Sequence, residues 1–450
     1  MGRLFGTDGV RGVANRDLTP ELAFRIGRAS AAVIAHAQPL DKPIVVGRDT
    51  RLSGPMLEGA IVAGVTSTGR NVVRLGIVPT PAVAAITASI EAAAGVMISA
   101  SHNPVEDNGI KWFGADGFKL TDAVEDEIER SLDRDDLPRP TGLDIGLVAE
   151  TRGLIDNYFA KLVAAGGDLS ALTIVVDAAF GAAYLVGPKV LEHLGARVIA
   201  IHAEDDGSRI NVECGATHLG RLQQRVREEA AKTTGHVAGV AFDGDADRAL
   251  FVDERGDVIN GDGVLLALAR DLHGRGELPG DVLVGTVMAN MGLEKALAAD
   301  GIRLLRAPVG DRYVLEAMRG GGHRLGGEQS GHVIDLDRGT TGDGPMTAVA
   351  LFSLAARNGG SVRALAEGLH VYPQVLVNVR VRDRNVSEHP AVRDAVAAAE
   401  AALAGDGRIL VRASGTEPLV RVMVEAGDAV RTRTVAEGVA EAIRTASGVA

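Results

Sequence analysis

Cysteine is nearly absent from this chain, since Cys214 is the only one among 450 residues. A single thiol excludes a disulfide framework and is compatible with a reducing compartment. The chain also lacks an uninterrupted apolar run of about 18 residues, the length that a membrane-spanning helix requires. Its first residues, Met1 to Thr7, contain no apolar segment of the kind found in signal peptides. These absences predict a cytoplasmic protein with no membrane partner.

Acidic residues outnumber basic ones, 59 to 47, and most of the positive charge is carried by one residue type. The net charge is −12 at pH 7 and no broad basic stripe is present, so we expect no nucleic-acid partner. The chain has seven lysines against forty arginines. Arginine does not release its proton near neutral pH, whereas a lysine can when its pKa is lowered. Lys111 is therefore a candidate acid or base, although the nearby Lys119 weakens that argument.

Strand-like and helical segments alternate along the chain, which predicts α/β domains. A polar stretch at residues 133–144 ends the first of them, and we expect three α/β domains at 1–150, 151–253 and 254–366. The remaining part, 370–450, has the order strand, helix, strand, strand, helix. That order predicts a smaller α+β domain. The expected fold class is therefore α/β, with three similar domains built on mixed sheets and a fourth domain of a different type.

One hydroxyl is presented in an unusual setting, in the segment Ile98-Ser-Ala-Ser-His-Asn-Pro104. The apolar run from Ala94 to Ile98 predicts a strand that leads to Ser101, and the Asn-Pro pair beyond it predicts a turn. His102 is next to this serine in the sequence. A serine held at the end of a strand in this way is a candidate to carry a covalent phosphoryl group.

Three carboxylates lie two residues apart, at Asp243, Asp245 and Asp247. They follow an apolar run that predicts a strand. In an extended segment alternate side chains share one side, so we expect the three carboxylates to converge. Converging carboxylates repel one another unless a cation lies between them. Three protein oxygens together with one phosphate oxygen suit Mg²⁺, which prefers oxygen ligands.

Two other interpretations of this acidic segment remain open. With Glu254 added, the aspartates match the ligand positions of a calcium-binding EF-hand loop, but Arg248 occupies the position where that loop needs glycine. The flanking segments are also strand-like, whereas an EF-hand has helices there. A solvated acidic turn is the other alternative. In a magnesium site, Arg248 would lie beside the metal and steady a phosphoryl oxygen.

Two further loops combine charged and hydroxyl groups. Arg412-Ala-Ser-Gly-Thr-Glu417 follows a predicted strand and could bind a phosphate through backbone N–H groups and the arginine, although Ser-Gly-Thr also occurs in plain turns. The second loop is Gly327-Glu-Gln-Ser-Gly-His332. In it, Glu328 and Ser330 can hydrogen-bond sugar hydroxyls. His332 can exchange a proton near neutral pH, or it can be structural.

Two glycine-punctuated loops near the N-terminus carry arginines, and locally focused cations let an acidic protein bind anions. We assign a functional role to the first, Phe5-Gly-Thr-Asp-Gly-Val-Arg11, and expect Arg11 to bind substrate. We interpret the second, Gly47-Arg-Asp-Thr-Arg51, as a structural surface turn. Cys214 has no basic neighbour in the sequence, so we expect it to be structural.

These segments, in this order, resemble the motifs of the α-D-phosphohexomutases, from Phe5 to the last predicted strand. The resemblance implies four domains around a central cleft, each contributing one loop, with a C-terminal α+β domain of the TATA-binding-protein-like type. It also implies a phosphoserine at Ser101 and one Mg²⁺ per chain. One departure from the family is Phe180, in a turn where relatives often have asparagine before the glycine.

The expected site combines the candidates above with the residues that this resemblance implies. The catalytic residues are Ser101, Lys111, His332 and Arg248. The metal ligands are Ser101, Asp243, Asp245 and Asp247. The substrate-binding residues are Arg11, Glu328, Ser330, Arg412, Ser414, Gly415 and Thr416.

Three features favour the branch of the family that acts on glucosamine phosphates: the N-terminal loop, the Ser99-Ala100 pair before Ser101, and Gln329. The implied reaction interconverts glucosamine 6-phosphate and glucosamine 1-phosphate through glucosamine 1,6-bisphosphate, and it would feed UDP-N-acetylglucosamine and cell-wall synthesis. A phosphomannomutase or phosphoglucomutase is the alternative. A catalytically silent sensor of sugar phosphate or Ca²⁺ is a second alternative, which the intact Ser101 opposes.

The partners that the resemblance implies begin with a small sugar phosphate. A homodimer is compatible with it. The phosphate on Ser101 would come from an activating kinase or from autophosphorylation.

Overall fold

The computed structural model describes residues 4–6, 8–403, 405–413 and 418–448. The chain forms two compact units. The first comprises Met1–Met288 and Leu304–Glu367, and the second comprises Ala289–Arg303 and Gly368–Ala450. Three of the four sheets lie mainly in the first unit, and the fourth lies in the second.

A mixed six-stranded sheet begins the first unit. Its strands are β1 (Val10–Val13), β2 (Ile44–Arg48), β3 (Val72–Ile77), β4 (Ala94–Ile98), β5 (Asp107–Gly114) and β6 (Val148–Glu150), in the spatial order β1-β5-β4-β2-β3-β6. Its helices are α1 (Pro20–Ile34), α2 (Gly54–Thr66), α3 (Thr80–Ser89) and α4 (Asp122–Ser131). Strand β4 runs parallel to β2 and antiparallel to β5, and all five of its residues are buried. The segment that contains Ser101 follows the carboxyl end of β4 and therefore also lies in the interior.

The second sheet has five strands. They are β7 (Leu172–Asp177), β8 (Arg197–Ile201), β9 (His236–Phe242), β10 (Ala249–Val252) and β11 (Val258–Ile259), in the order β11-β10-β9-β7-β8. Its helices are α5 (Ile155–Ala165), α6 (Val186–His193) and α7 (Gly220–Ala230). Strands β9 and β10 pair antiparallel, so the aspartate segment is the connection between them. This sheet continues to Ile259, past residue 253.

The third sheet has four strands in the order β13-β12-β14-β15. The strands are β12 (Val282–Thr286), β13 (Arg303–Ala307), β14 (Leu325–Gly327) and β15 (Val333–Asp335). The helices in this part of the chain are α8 (Gly261–Gly274), α9 (Met291–Ala299), α10 (Asp311–Gly321), α11 (Gly344–Arg357) and α12 (Val362–Leu365), of which α9 belongs to the second compact unit. Strands β14 and β15 form an antiparallel hairpin whose connection is the Glu328 loop.

The second unit contains a three-stranded antiparallel sheet in the predicted order of elements. It is formed by β16 (Gln374–Arg380), α13 (Pro390–Leu403), β17 (Gly407–Ala413), β18 (Leu419–Ala426) and α14 (Ala429–Ser447). Val420, Val422 and Val424 alternate along β18 and pack into a core with residues of both helices. Across the described residues, no helix has both the length and the apolar composition needed to cross a membrane.

Helices α1 and α2 pack closely because glycines occupy the contacts between them. A Cβ at Gly27 would lie 2.6 Å from the Ile61 carbonyl oxygen, and a Cβ at Gly64 would lie 2.2 Å from the Phe24 carbonyl oxygen. Both distances are too short for real atoms, so a larger residue would push the helices apart. Gly59, on the same helix α2, has open space around the corresponding position.

We expect Gly64→Ala to lower the free energy of unfolding by ~1–3 kcal/mol, because overpacking forces the two helices apart. Gly59→Ala is the matched control, and it should be neutral or slightly stabilising because alanine has the higher helix propensity. Chemical denaturation of both variants measures the difference. Equal stability of the two variants would contradict the close packing.

A buried hydrogen bond joins helices next to the second and third sheets. Tyr158 of α5 donates to Asp343 Oδ1 at 2.8 Å, and both side chains are buried. Asp343 also caps α11, where it accepts from the Met346 backbone N–H at 2.8 Å. Burial raises the pKa of Asp343 to about 6, although these two hydrogen bonds act in the opposite direction.

The raised pKa of Asp343 makes part of the stability depend on pH. The folded protein binds this proton more tightly than the unfolded chain, so the contribution is present at low pH and is lost as the pH rises through about 6. Wild type should therefore gain ~1 kcal/mol over Asp343→Asn when the pH falls from roughly 7.5 to roughly 5. Denaturation of both proteins at the two pH values checks this. A stability difference that does not change with pH would contradict it.

Candidate active site

Ser101 lies against the aspartate segment, although the two are far apart in the chain. Its Oγ donates a hydrogen bond to Asp243 Oδ2 at 2.6 Å, and the two residues are 142 positions apart. His102 Nδ1 is 3.3 Å from the same hydroxyl. Ser101 and Asp243 are both buried. The structure thus brings together the hydroxyl and the first carboxylate that the sequence analysis singled out.

The three aspartates converge through a turn. Residues 243–248 connect β9 to β10 without strand conformation, and Ala246 within them has a φ of 57°. The prediction of convergence is confirmed, because oxygens of all three carboxylates lie within 4.8 Å of one another. The expected extended backbone was wrong, since the turn and not a two-residue repeat directs the side chains.

The EF-hand interpretation is excluded by the elements on either side of the aspartates. Both flanks are strands, β9 and β10, where an EF-hand needs helices. Glu254, the proposed last ligand, accepts a hydrogen bond from Ser361 Oγ at 2.9 Å.

The electrostatics of the aspartates favour a bound cation. Burial, together with the charges of Asp247 and Asp245, raises the pKa of Asp243 well above its usual range. Among the described residues, Asp245 Oδ1 and Asp247 Oδ1 are buried and accept no hydrogen bond. Buried carboxylate oxygens that accept no hydrogen bond are costly, and a divalent cation would satisfy them. The donors are all oxygens, which fits Mg²⁺.

Lys111 lies on β5 and contacts the aspartates directly. Its ammonium is 2.8 Å from Asp245 Oδ2, 3.1 Å from Asp8 Oδ2 and 3.7 Å from Asp247 Oδ2. Burial acts to lower the pKa of Lys111, but the three carboxylates outweigh it and raise that pKa. The lowered pKa expected from the sequence is therefore not found in this state. A divalent cation would compete with Lys111 for the same carboxylates.

Asp8, Lys119 and Asp311 also belong to the site, although none of them was among the predicted site residues. Asp8 forms ion pairs with Arg11, Lys111 and Lys119. Lys119 forms a second ion pair with Asp311, at the start of α10. Two features of the sequence could have identified members of this group. Asp8 lies in the same loop as Arg11, and lysine, the residue type of Lys119, is rare in this chain.

His332 is buried at the edge of the same cluster. Its Nδ1 is 3.7 Å from Asp247 Oδ2, and its Nε2 is 3.7 Å from Asp311 Oδ2. The Gly342 backbone N–H points at Nε2 from 3.2 Å, so the neutral ring carries its proton on Nδ1. Burial acts to lower the pKa of His332, but Asp247 and Asp311 raise it above its usual value.

The rest of the β14–β15 loop presents groups that remain partly accessible. Ser330 Oγ donates to Glu328 Oε2 at 3.2 Å, and Glu328 Oε1 accepts from the Gly310 backbone N–H at 3.1 Å. Gln329 Nε2 donates to Asp262 Oδ2 at 3.1 Å, at the start of α8. These contacts fix the loop while leaving Glu328 and Ser330 half-buried.

Arg248 and Arg11 supply guanidinium groups beside the carboxylates. The Arg248 backbone N–H donates to Asp243 Oδ1 at 3.2 Å, and its Nε is 3.8 Å from Asp247 Oδ1. Arg11 donates to Asn103 Oδ1 at 3.3 Å. The two arginine side chains are 23% and 28% exposed, so an anion can reach both.

The predicted phosphate loop belongs to the second compact unit. Arg412 lies on β17, directly opposite Arg421 of β18. Burial, together with the charge of Arg421, lowers the pKa of Arg412 from its usual value. Ser414, Gly415 and Thr416, which we expected to bind the same phosphate, lie outside the described residues.

A second group of potential metal ligands lies elsewhere in the first unit. Oxygen, nitrogen and sulfur atoms of Asp177, His202 and Cys214 lie within 4.8 Å of one another. The Asp177 oxygens already accept hydrogen bonds from the Ala179 and Gly215 backbone N–H groups, at 2.9 and 3.0 Å. Asp177 therefore braces the turn after β7, and Cys214 is buried beside it as a structural residue.

Four family models match the chain in succession. The phosphoglucomutase/phosphomannomutase α/β/α domains I, II and III match residues 2–139, 156–256 and 260–372, and the C-terminal domain of that family matches residues 376–442. The chain belongs to the phosphoglucomutase/phosphomannomutase family. It is therefore a four-domain enzyme of the isomerase class, and its substrate is a sugar phosphate.

Individual relatives support the same assignment. The chain is 52% identical over 450 residues to the phosphoglucosamine mutase of Symbiobacterium thermophilum, with 99% of both chains covered. It is 51% identical over 453 residues to the phosphoglucosamine mutase of Moorella thermoacetica, with 100% of both covered. The crystal structure of a phosphoglucomutase/phosphomannomutase family protein from Burkholderia thailandensis superposes with a TM-score of 0.83 at 26% identity, covering 100% of this chain and 98% of that one.

Proposed function

We propose that this enzyme interconverts glucosamine 6-phosphate and glucosamine 1-phosphate through a phosphorylated Ser101. The observation that carries the proposal is the 2.6 Å hydrogen bond from Ser101 Oγ to Asp243, inside a cluster of carboxylates and cations. The choice of amino sugar is supported by the two relatives named phosphoglucosamine mutase, each about half identical over its full length.

The proposal includes one Mg²⁺ held by Asp243, Asp245, Asp247 and an oxygen of the phosphorylated Ser101. Asp245 Oδ1 and Asp247 Oδ1, which are buried and accept no hydrogen bond, support this assignment. When bound, the ion would neutralise charge on the transferred phosphoryl group.

In the first transfer, O1 of glucosamine 6-phosphate attacks the phosphorus on Ser101. The O1–P bond forms as the Oγ–P bond breaks, and Oγ keeps the electron pair of the broken bond and takes up a proton. The O1 proton passes to a base, for which His332 and Lys111 are the candidates. Arg248 is placed to steady the phosphoryl oxygens, since phosphoryl transfer depends mainly on positioning and charge neutralisation.

In the second transfer, Ser101 Oγ gives up its proton to a base and attacks the phosphorus on O6 of glucosamine 1,6-bisphosphate, forming the Oγ–P bond. The O6–P bond breaks, O6 takes up a proton, and glucosamine 1-phosphate leaves with Ser101 phosphorylated again. Glu328 and Ser330 would hold the sugar hydroxyls. Arg11, and Arg412 with the rest of its loop, would bind the phosphate that is not transferred.

Turnover of three sugar phosphates tests the proposal. The purified enzyme should convert glucosamine 6-phosphate with a kcat/KM at least ~10-fold above that for glucose 6-phosphate and mannose 6-phosphate, because a polar site discriminates by its hydrogen bonds. Each assay contains a trace of the matching 1,6-bisphosphate to keep Ser101 phosphorylated. Preference for glucose or mannose phosphate would instead establish the alternative, a phosphoglucomutase or phosphomannomutase.

Three further parts of the proposal concern organisation and activation. The functional domains are proposed at 1–150, 151–253, 254–366 and 370–450. A homodimer is compatible with the proposal, and sedimentation of the purified enzyme would measure its oligomeric state. The first phosphate on Ser101 is proposed to come from a kinase or from autophosphorylation, and incubation of dephosphorylated enzyme with ATP alone distinguishes the two.

A further inference from the structure

Arg51 contacts the backbone of the Ser101 loop, residues 99–106 between β4 and β5, and of the first residue of β5. Its side chain is fully buried. Nη2 donates to the Ser101 carbonyl oxygen at 3.0 Å and to the Asn103 carbonyl oxygen at 2.8 Å. Nη1 donates to the Pro104 carbonyl oxygen and to the Asp107 carbonyl oxygen at 2.9 Å. One guanidinium therefore holds three carbonyls of this loop and the first carbonyl of β5.

Asp49 completes the connection from Arg51 to the Ser101 backbone N–H. Its Oδ2 accepts from Arg51 Nε at 3.0 Å and from Ser99 Oγ at 2.6 Å. Ser99 Oγ in turn accepts from the Ser101 backbone N–H at 2.9 Å. Because the Ser99 proton is donated to Asp49, an oxygen lone pair of Ser99 is free to accept from Ser101. Both sides of the Ser101 peptide are thus held by one buried network.

Ser101 needs this support because its backbone is in an unfavourable conformation. Its φ is 53°, in the left-handed region that non-glycine residues rarely adopt. Such strain persists only where the surroundings hold the residue in place, and it is concentrated at functional sites. Asn211 adds a second donor to the Ser101 carbonyl oxygen, at 2.9 Å. A loosened loop would let Ser101 relax and move its Oγ away from Asp243.

We propose that Arg51 is a positioning residue for phosphoryl transfer, acting through the Ser101 loop and through the Asp49–Ser99 relay. The sequence interpretation of Gly47–Arg51 as a surface turn is wrong for Arg51, which is buried. The inference rests on the proposed function, since it assumes that Ser101 carries the phosphoryl group. It adds a residue that neither touches the substrate nor binds the metal.

The chain offers a matched control in Arg70. This arginine is also fully buried in the first domain. It donates to three backbone carbonyls, those of Gln38, Pro39 and Lys42, at 2.9, 2.7 and 2.8 Å. Those carbonyls follow α1, and none belongs to the Ser101 loop. Arg51→Lys and Arg70→Lys therefore both remove a buried guanidinium that holds backbone carbonyls, but only the first affects Ser101.

The experiment compares kcat, KM and thermal unfolding for wild type, Arg51→Lys and Arg70→Lys with glucosamine 6-phosphate. We expect Arg51→Lys to lower kcat by ~100-fold with KM changed less than about threefold, because misplacing a reacting group by about 1 Å has an effect of that size. Both variants should lose thermal stability, and Arg70→Lys should keep kcat within about twofold despite that loss. Wild-type kcat in folded Arg51→Lys, or equal losses of kcat in the two variants, would overturn the inference.

If Arg51→Lys does not fold, Ser99→Ala is the variant that tests the inference. It removes the acceptor of the Ser101 N–H and keeps Arg51, so kcat should fall ~10-fold, with a loss of thermal stability smaller than that of Arg51→Lys. An unchanged kcat in Ser99→Ala would then overturn the inference.

Failure of the proposed function is recognised separately. Intact-mass measurement after incubation with glucose 1,6-bisphosphate shows whether wild-type Ser101 takes up phosphate. Wild type without that phosphate contradicts the phosphoserine itself. If wild type is phosphorylated but prefers another sugar, the same comparison of variants is made on that sugar.

Discussion

Ser101→Ala should abolish turnover, with kcat reduced by ~10⁴-fold or more, as expected when the nucleophile of a covalent mechanism is removed. The Ser101 hydroxyl lies 2.6 Å from Asp243 Oδ2. The methyl group of alanine has no oxygen atom that could carry a phosphoryl group in its place. Turnover of glucosamine 6-phosphate measures the loss. Intact-mass analysis should show one phosphate-sized increment on wild type and none on the variant.

The control for this prediction is Ser89→Ala. Ser89 ends α3, where its hydroxyl donates to the Ile86 carbonyl oxygen at 3.0 Å and has no contact with the aspartates. It should keep wild-type activity and the phosphate increment. Normal turnover by Ser101→Ala, or a phosphate that remains on that variant, would refute the covalent role of Ser101.

Asp245→Asn should raise the Mg²⁺ concentration needed for half-maximal activity by ~10- to 100-fold, because a neutral amide replaces an anionic ligand. The effect on folding should be small in comparison. Thr80 Oγ donates to Asp245 Oδ2 at 2.6 Å, and an amide oxygen can accept that bond. Lys111 keeps Asp8 and Asp247 as partners. Activity titrated with Mg²⁺ after chelator treatment measures the shift.

Asp253→Asn is the matched control for the effect of Asp245→Asn on the Mg²⁺ requirement. Asp253 is buried just after β10, where it accepts backbone hydrogen bonds from Arg255 and Asp257 and pairs with Arg363. Its replacement should lower the unfolding temperature without changing the Mg²⁺ requirement. If Asp245→Asn lowered stability strongly and left the Mg²⁺ requirement unchanged, the aspartates would be structural.

Local elements were predictable where the core imposes a clear pattern on the chain. The apolar runs at 94–99 and 172–177 predicted strands, and the structure has β4 at Ala94–Ile98 and β7 at Leu172–Asp177. Strands buried on both faces have nearly continuous apolar sequences, so they are visible without a structure. Strand β5 was not predicted, because Asp107-Asn-Gly109 at its start has the composition of a turn. Its pairing with β4 and β1 outweighs that local preference.

The contacts of Arg51, in contrast, could not be predicted from the sequence. A buried arginine is stabilised only by acceptors, and the four carbonyls that bind it are supplied by residues 50 to 56 positions further along the chain. Spacing within the Gly47–Arg51 loop contains no information about those carbonyls. The same holds for Asp8, which is surrounded by lysines from a distant strand and loop.

The amino-acid sequence by itself determined the chemical groups, since a serine before an Asn-Pro turn, three alternating aspartates and two loops of polar residues are local patterns. It also determined the family, through the order of those patterns. Only the tertiary structure decided which atoms meet. It brought Ser101 into hydrogen-bond contact with Asp243, Lys111 with Asp245, and Arg51 with the backbone of the Ser101 loop. The reason is physical: burial and ion pairing depend on contacts between residues far apart in the chain, which folding alone brings together.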